Sequence, residues 1–359
     1  MRPSRTRTPA PRRVPDTGRD VIEAPALAHA LADAYHLRVV GLSPLEGGSL
    51  NSAYRVEATD GDFHLKCYDG RIYQADQIRR SIEAQEYIGR SDVPVPAVLR
   101  NVDGDAFTEI PGVGSVVLST FIQGSHRRRG SIPARAASAM GRTLGTLHHI
   151  LAPLDEPRPY VVPPPAEAQT RLEAVLGEAE RLRGRSAVDE TCCRVLRHKL
   201  DALRRCGWLA DRFPPLLTQA THGDYQETNV LFDDADQVVG ILDFDNTKSQ
   251  PRIVELSRAL TLDFIADDHL LPEAEDFLVG YHEMGQFAEP DALLLAPLTL
   301  YLSCTRAWPI TARYMDRDAY QTRWDRFIGE PSSWWEEHVD ELTERLLNLC
   351  RRAQGPFTV

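Results

Sequence analysis

The chain has 359 residues, of which 42% are hydrophobic and 26% charged, so it can bury the core of one large two-lobed domain. Its formal net charge is −11, and because the first twenty residues contribute +4, the remainder carries −15. An acidic body disfavours general nucleic-acid binding, which depends on lysine and arginine contacts to phosphates. No apolar stretch approaches the roughly 18 residues that a membrane span requires, so we expect neither nucleic acid nor a membrane as a partner.

The N-terminal segment and the cysteines predict a cytoplasmic protein. Residues 1–20 are basic and proline-rich and lack the apolar segment of a secretory signal, which predicts a disordered tail. The six cysteines form no CxxC pair and have no regular spacing, so neither zinc ligation nor a disulfide framework is indicated. We expect reduced, mostly buried thiols.

Residues 21–124 predict a small, mainly β lobe. Apolar residues at helical spacing predict a helix over 21–37 that precedes the first strand, and a second helix is predicted over 74–88. Alternating apolar residues between turn residues predict strands at 38–45, 53–58, 63–68, 97–110 and 115–122.

Residues 125–359 predict a larger, mostly helical lobe. The spacing of apolar residues predicts helices over 134–151, 166–182 and 188–213. Two short strands, VLF and VVGILDF, follow a polar loop and are joined by an acidic turn. The predicted fold class is therefore α+β, with a β-rich N-terminal lobe and a helical C-terminal lobe.

The polar loop carries the strongest chemical signal of the sequence. His222-Gly223-Asp224 is followed by Asn229, and the next strand ends in Asp243-Phe244-Asp245. Phosphoryl transfer requires an oriented nucleophile and a metal that neutralises phosphate charge. An aspartate in a loop can accept the hydroxyl proton, while Asn and Asp oxygens suit magnesium. Such residues are individually common as turn residues or caps, but the two linked motifs together indicate a kinase.

A second motif lies between the first two strands. Small residues in the segment LEGGSLNSAYRV allow backbone N–H groups to approach phosphates, although a glycine pair there is also typical of an ordinary hairpin turn. Lys66, in the apolar strand FHLKCY, could contact the α- and β-phosphates or reach solvent at an edge. For the phosphate-binding arrangement we expect a carboxylate of the following helix, Glu83 or its rival Glu86, to pair with Lys66.

Together these segments resemble the aminoglycoside phosphotransferase and choline/homoserine kinase family, across about residues 26–265. The matching pieces are GGSLNSAYRV, Lys66, VPVP, MGRTLGTLHHI, HGDYQETNVLF and ILDFD. The resemblance implies a protein-kinase-like, two-lobed fold that binds ATP or GTP and Mg²⁺. It also implies roles for matched residues: Asp224 as catalytic base, His222 orienting its loop, Asn229 and Asp243 as magnesium ligands, and Lys66 as phosphate anchor. The remaining expected nucleotide contacts are Gly47, Gly48, Ser49, Asn51, Val56, Thr120, Phe121 and Ile122.

The sequence departs from protein kinases at Asp243-Phe244-Asp245 and in the stretch that follows. Asp245 replaces the usual glycine, and the stretch after it is too short for an activation segment, so we expect a small-molecule hydroxyl as acceptor and not a protein. A catalytically silent nucleotide-binding module is the alternative from another class. Between Ala259 and Asp291 the chain has nine acidic residues and neither lysine nor arginine, which favours a cationic substrate or simply a solvated helical face. Candidate substrate contacts are Asp245, Glu255, Asp263 and Asp267. Both a monomer and a homodimer are compatible with the sequence.

Overall fold

The computed structural model describes residues 24–45, 51–70, 72–266, 269–285, 287–315, 325, 328 and 333–353. The predicted tail and the predicted site residues Gly47, Gly48, Ser49 and Asp267 lie outside the described residues.

The N-lobe is an antiparallel sheet of five strands in the order β1-β2-β3-β5-β4. The strands are β1 (Val39–Leu45), β2 (Ser52–Ala58), β3 (Gly61–Cys67), β4 (Thr108–Ile110) and β5 (Gly114–Thr120). Two helices accompany the sheet, α1 (Ala24–Tyr35) and α2 (Ala75–Ile88).

The two helices pack on opposite faces of this sheet, because alternate strand residues point to opposite sides. Leu31 of α1 joins a buried cluster with Val56 and Leu65, whereas Ile78 of α2 joins another with Val117. Lys66 lies opposite Val117 in the register of β3 and β5. Lys66 therefore points to the α2 face of the sheet.

The strand predicted over 97–110 is wrong for most of its length. Asn101 forms a turn there, since its side-chain oxygen accepts the backbone N–H groups of Asp103 at 3.0 Å and Asp105 at 2.8 Å. Its own N–H donates to the carbonyl of Asp105 at 2.9 Å. An asparagine that bonds to nearby backbone competes with strand pairing, so only Thr108–Ile110 remains as β4.

The C-lobe is mostly helical. Its helices are α3 (Ala134–Leu151), α4 (Pro165–Glu180), α5 (Ala187–Cys206), α6 (Arg252–Asp263), α7 (Glu273–Glu283), α8 (Glu289–Thr305), α9 (Ile310–Met315) and α10 (Ser333–Ala353). Its short strands are β6 (Pro159–Tyr160), β7 (Leu216–Leu217), β8 (Gln219–Thr221), β9 (Val230–Phe232), β10 (Val238–Ile241), β11 (Lys248–Gln250), β12 (Ile265–Ala266) and β13 (His269–Leu270). Among the described helices, none is both long and apolar enough to cross a bilayer. All six cysteines are buried free thiols.

Helices α3 and α7 approach each other unusually closely, and glycines permit this approach. A Cβ at Gly141 would lie 1.9 Å from the carbonyl oxygen of Phe277, and one at Gly280 would lie 2.1 Å from that of Ser138. The glycines of the sequence MGRTLGTLHHI are thus explained by packing. The same contact brings His148 of α3 to Tyr281 of α7, beneath the loop that follows β8.

Candidate active site

The loop between β8 and β9 is fixed by its own histidine and glycine. His222 is buried; its Nε2 lies 3.0 Å from the Leu242 carbonyl, to which it donates, and its Nδ1 accepts the Asp224 N–H at 3.3 Å. Gly223 has φ of +82°, and a Cβ there would lie 1.8 Å from the Asn246 carbonyl oxygen. Only glycine fits this position. The geometry supports an orienting function for His222.

Glu255 lies behind this loop, so its predicted substrate contact is wrong. The side chain is fully buried and accepts the backbone N–H groups of His222, at 3.2 Å, and Gly223. Its Oε2 also lies 2.9 Å from His148 Nε2, while His148 Nδ1 accepts the Tyr281 hydroxyl at 2.7 Å. Burial alone would raise the pKa of Glu255, but the hydrogen bonds from His148 and from the Gly223 N–H outweigh it and lower the pKa. Glu255 thus holds the backbone of the loop from below.

Glu255→Ala should destabilise the fold strongly. The change leaves the His148 imidazole and two backbone N–H groups buried without an acceptor, for which we expect a loss of about 3–5 kcal/mol in the free energy of unfolding. Urea denaturation at neutral pH measures this loss, and Glu255→Gln, which keeps one acceptor, should lose less. Equal stability of Glu255→Ala and the unmodified protein would contradict the anchoring role.

Asp263 is also buried away from any substrate position, contrary to its prediction as a substrate contact. Its Oδ1 accepts the Glu227 N–H at 3.3 Å. Burial raises the pKa of Asp263 well above its ordinary value, and its hydrogen bond to the Glu227 carboxyl raises it further. The raised pKa keeps a proton on Asp263, and this proton is placed to bridge to the Glu227 carboxyl and tie the loop that bears Asp224 to the end of α6.

Asp263→Asn should flatten the dependence of stability on pH. Since the folded pKa of Asp263 lies above the unfolded value of about 3.9, its contribution is complete below that value and is lost as pH rises towards the folded pKa. An amide keeps a donor towards Glu227 and does not titrate. Urea unfolding between pH 4 and pH 9 should therefore show a smaller decline for the variant; an unchanged slope would exclude the shared proton.

Lys66 joins the two lobes. Its Nζ lies 2.8 Å from Asp243 Oδ1 and 2.7 Å from Asp245 Oδ2. Burial lowers the pKa of Lys66, but the two carboxylates outweigh it and raise the pKa. Burial likewise raises the pKa of Asp243, and Lys66 overcomes this and lowers it. Both groups are therefore charged at neutral pH.

Asp245 takes the position that was predicted for a helix carboxylate, and its side chain is engaged by Lys66 and not directed to a substrate as predicted. Its side chain is 2% exposed. Besides Lys66 it accepts hydrogen bonds from Asn51 at 2.9 Å, Tyr68 at 2.9 Å and Ser81 at 3.1 Å.

The predicted pairing of Lys66 with Glu83, or with Glu86, is wrong. Glu83 is exposed, and Glu86 forms an ion pair with Arg100. The face of α2 that meets Asp245 presents the short hydroxyl of Ser81 instead.

The predicted contact of Val56 with the nucleotide is also wrong, because Val56 is buried on the α1 face of the sheet. Ala53 lies opposite Lys66 in the register of β2 and β3 and shares its face. His64, two residues before Lys66, shares that face as well. Burial and the nearby Lys66 lower the pKa of His64 to about 4, so its imidazole is neutral at neutral pH.

Of the three linker residues, two use their N–H groups within the protein. The Thr120 N–H donates to Ala97 at 2.9 Å and the Phe121 N–H to Asp62 at 3.2 Å. The N–H of Ile122 has no such partner among the described residues, and the Ile122 side chain lies over Gly240. Of the three predicted adenine contacts, Ile122 is therefore the one whose backbone N–H has no partner among the described residues.

A sequence model of the phosphotransferase enzyme family matches residues 41–293, which is more than half of the chain. The chain belongs to this family. It is an enzyme, a kinase of small molecules, as the sequence predicted.

The relatives agree with this assignment. The chain is 28% identical over 293 residues to a homoserine kinase of Pseudomonas aeruginosa strain UCBPP-PA14, with 80% of this chain and 84% of that protein covered. A spectinomycin phosphotransferase in complex with AMP has a TM-score of 0.60 at 14% identity, covering 90% of this chain and 98% of the other. A microcompartment-associated aminopropanol kinase has a TM-score of 0.56 at 16% identity, covering 91% and 99%. These likenesses confirm the predicted two-lobed α+β fold class.

The donor groups of this phosphotransferase fit a magnesium ion. Asp243 has φ of +65°, and its side chain is 36% exposed beside Lys66. Asn229 commits its amide nitrogen to Asp224, 2.8 Å from the carbonyl and 3.3 Å from Oδ2, which leaves its oxygen as the available atom. No cluster of three or more His, Cys, Asp or Glu side chains that could hold a metal occurs in the described part of the chain. One carboxylate with one amide oxygen nevertheless matches magnesium, which takes few protein ligands and completes its shell with phosphates and water.

Several residues of this site were not predicted from the sequence. Arg258 forms an ion pair with Asp224, and Lys248 lies on β11, opposite Thr221 of β8. Arg258 could have been found, because it follows Glu255 by three positions on one helix and so lies on a neighbouring face. Tyr68 could have been found from strand alternation with Lys66. Ser81 gave no signal of its own.

Proposed function

We propose that the protein catalyses ATP- and magnesium-dependent phosphorylation of a hydroxyl group on a small molecule. The contact between Lys66 and Asp243 carries this proposal. It joins a cation of the N-lobe to a carboxylate of the C-lobe in one cleft, and the same C-lobe segment is tied to the loop that bears Asp224 through His222 and Leu242. The residues proposed for phosphate binding, Lys66 and Asp243, are thereby connected to the loop that bears the proposed base, Asp224.

Nucleotide binding is assigned to the face of the sheet that carries Lys66. The Lys66 ammonium would move from the Asp243 carboxylate to the α- and β-phosphates and stay paired with Asp245, with Ala53 and Ile122 near the base. Asn229 and Asp243 would hold Mg²⁺, which neutralises charge on the phosphates when bound. Asp245 keeps Lys66 oriented through its hydrogen bonds to Asn51, Tyr68 and Ser81.

Phosphoryl transfer is assigned to Asp224. The acceptor oxygen forms a bond to the γ-phosphorus while the bond from that phosphorus to the β-bridging oxygen breaks, and ADP leaves. The hydroxyl proton passes to the Asp224 carboxylate. Hydrogen bonds from Gln226 at 3.0 Å and from Asn229 hold this carboxylate in place, so it also orients the acceptor.

A small-molecule acceptor is supported by the names of the relatives, which include kinases of homoserine, aminopropanol and spectinomycin. The chain covers most of the length of each of these proteins. Homoserine, choline, sugars and antibiotics therefore form the panel for a first test.

ADP release from Mg-ATP tests the proposal, measured for the purified protein against this panel with Asp224→Ala as the blank. We expect at least one hydroxyl compound to stimulate ADP release, and the stimulation to vanish in the variant. Absence of both nucleotide binding and stimulated release would overturn the proposal. Nucleotide binding without release for any acceptor would instead support a silent nucleotide-binding module.

A further inference from the structure

Helix α6 contacts the loop that bears Asp224 at three points. Glu255 accepts two backbone N–H groups of this loop, and Asp263 accepts a third at 3.3 Å. Between these two positions of the helix, Arg258 forms an ion pair with the Asp224 carboxylate. Glu255 and Asp263 therefore fix the loop backbone, whereas Arg258 contacts the side chain that is proposed as the base.

Arg258 extends from a helix that is itself well anchored to α8. The hydroxyls of Ser257 on α6 and Thr299 on α8 lie 2.8 Å apart, and both side chains are buried. At the start of α6, Arg252 donates a hydrogen bond to Asp291 of α8 at 3.0 Å. A side chain on a packed helix is placed more accurately than one on a loop, so Arg258 provides a fixed reference point for the loop.

The two oxygens of the Asp224 carboxylate have different partners. Oδ1 accepts hydrogen bonds from the Arg258 guanidinium and, at 3.0 Å, from the Gln226 amide. Among the described residues, the partner of Oδ2 is the Asn229 amide at 3.3 Å, and the same amide nitrogen lies closer, at 2.8 Å, to the Asp224 carbonyl. Oδ1 is therefore committed to the protein, and Oδ2 keeps the capacity to accept a further hydrogen bond.

The Arg258 side chain has no competing partner in the part of the chain that the structure describes, where its contact with Asp224 is its one hydrogen bond and ion pair. The two side chains are 33% and 15% exposed. Water weakens the contribution of a partly exposed ion pair to stability. We therefore expect the contact to matter more for the orientation of the carboxylate than for the stability of the fold.

We propose that Arg258 is a positioning residue for the base, which holds Oδ1 of Asp224 so that Oδ2 faces the acceptor hydroxyl. As the acceptor oxygen bonds to the γ-phosphorus, its O–H bond breaks and the proton bonds to Oδ2. The guanidinium keeps its proton, because arginine does not deprotonate in proteins, and it does not touch the acceptor. This inference rests on the proposed function, since it concerns the base of that reaction.

Steady-state ADP release with the best acceptor tests this assignment. Arg258→Met should lower kcat by about 10- to 100-fold, the value of a hydrogen bond to a charged group. KM for the acceptor and for Mg-ATP should change little, because the lost contact acts on the base and on neither substrate. Arg258→Lys keeps the charge without the planar guanidinium and should recover part of kcat.

A matched arginine elsewhere in the C-lobe controls for the loss of an ion pair as such. Arg142 of α3 is 38% exposed and lies 3.2 Å from Glu283 of α7. Arg142→Met should retain full kcat. Urea unfolding shows whether each variant folds, and if Arg258→Met does not, the order of kcat for Arg, Lys and Gln at position 258 decides, with Gln the slowest.

The double variant Asp224→Ala/Arg258→Met separates positioning from a purely structural effect. If Arg258 acts through Asp224, the double variant should have the same kcat as Asp224→Ala, because no carboxylate remains to be positioned. A structural disturbance would act independently of the base, so the two losses would multiply. Multiplied losses would overturn the proposal.

The remaining outcomes distinguish this inference from the kinase function. Turnover by the unmodified protein, with kcat unchanged or raised in Arg258→Met, would overturn the inference and leave the kinase function intact. A loss expressed in KM for the acceptor would also overturn it, since Arg258 would then contact the acceptor itself. Absence of acceptor-stimulated ADP release from the unmodified protein would refute the kinase function, and with it the step assigned to Arg258.

Discussion

Asp224→Ala should reduce kcat for the best acceptor by about 10²- to 10⁴-fold, which is the usual contribution of a positioned general base. Asp224 lies in the loop between β8 and β9. Its carboxylate forms an ion pair with Arg258 and accepts hydrogen bonds from the side chains of Gln226 and Asn229. Because the proposed nucleotide contacts lie around Lys66 and Asp243, affinity for Mg-ATP should change little. Steady-state ADP release and nucleotide titration measure the two quantities.

A matched aspartate in the same lobe controls for nonspecific effects. Asp234 is exposed in the turn between β9 and β10, and Asp234→Ala should retain full kcat. Retention of full activity by Asp224→Ala would refute its assignment as the base. A parallel loss of nucleotide affinity would indicate that the variant disturbs the cleft as a whole.

Local patterns predicted the parts of the site that lie close together in the chain. His222, Asp224 and Asn229 lie in one loop, and Asp243 ends the hairpin that follows. Their mutual placement is set by short connections and by the close contact at Gly223. The spacing of these residues along the sequence was therefore enough to predict that they lie close together. The family match confirms the enzyme class.

Assignments that required the choice of a face were less successful. Ala53 and Val56 lie an odd number of positions apart, so strand alternation places their side chains on opposite faces of the sheet. Alternation alone does not determine which of the two faces lines the cleft. The packing of α1 over Val56 and Leu65 decides this. On α2, Ser81, Glu83 and Glu86 lie on different faces, and the rotation of that helix against Asp245 selects Ser81. Lys66 requires a carboxylate, and Asp245 supplies it from the other lobe.

The buried acidic residues show a further limit of sequence reasoning. Glu255 and Asp263 occur in the same helix, and the acidic run from Asp263 to Asp291 is compatible with either a substrate surface or a solvated helical face. Their partners, His148 and Glu227, lie more than 30 positions away. Gly141 and Gly280 permit the close packing of α3 against α7. This tertiary contact positions His148 as the partner of Glu255, and the sequence alone does not reveal it.

The second large effect is expected for Asp243→Ala, which should abolish the magnesium dependence of nucleotide binding. Loss of a group that merely supports a metal ligand typically costs 10- to 100-fold in metal affinity, so removal of the ligand itself should cost at least about 100-fold. Nucleotide titrations with magnesium and with a chelator measure the difference, which should be large for the unmodified protein and absent for the variant.

Lys66→Met distinguishes this role from an indirect one, because Asp243 also contacts Lys66 at 2.8 Å. If Asp243 acted only by orienting Lys66, both variants would weaken nucleotide binding by the same factor with magnesium and with chelator. If Asp243 holds the metal, Lys66→Met should weaken binding under both conditions yet keep the magnesium effect, since Asn229 and Asp243 remain. Persistence of the magnesium effect in Asp243→Ala would move the metal site elsewhere in the cleft. The direction of this comparison does not depend on the identity of the acceptor, because the Lys66–Asp243 contact lies on the nucleotide side of Asp224.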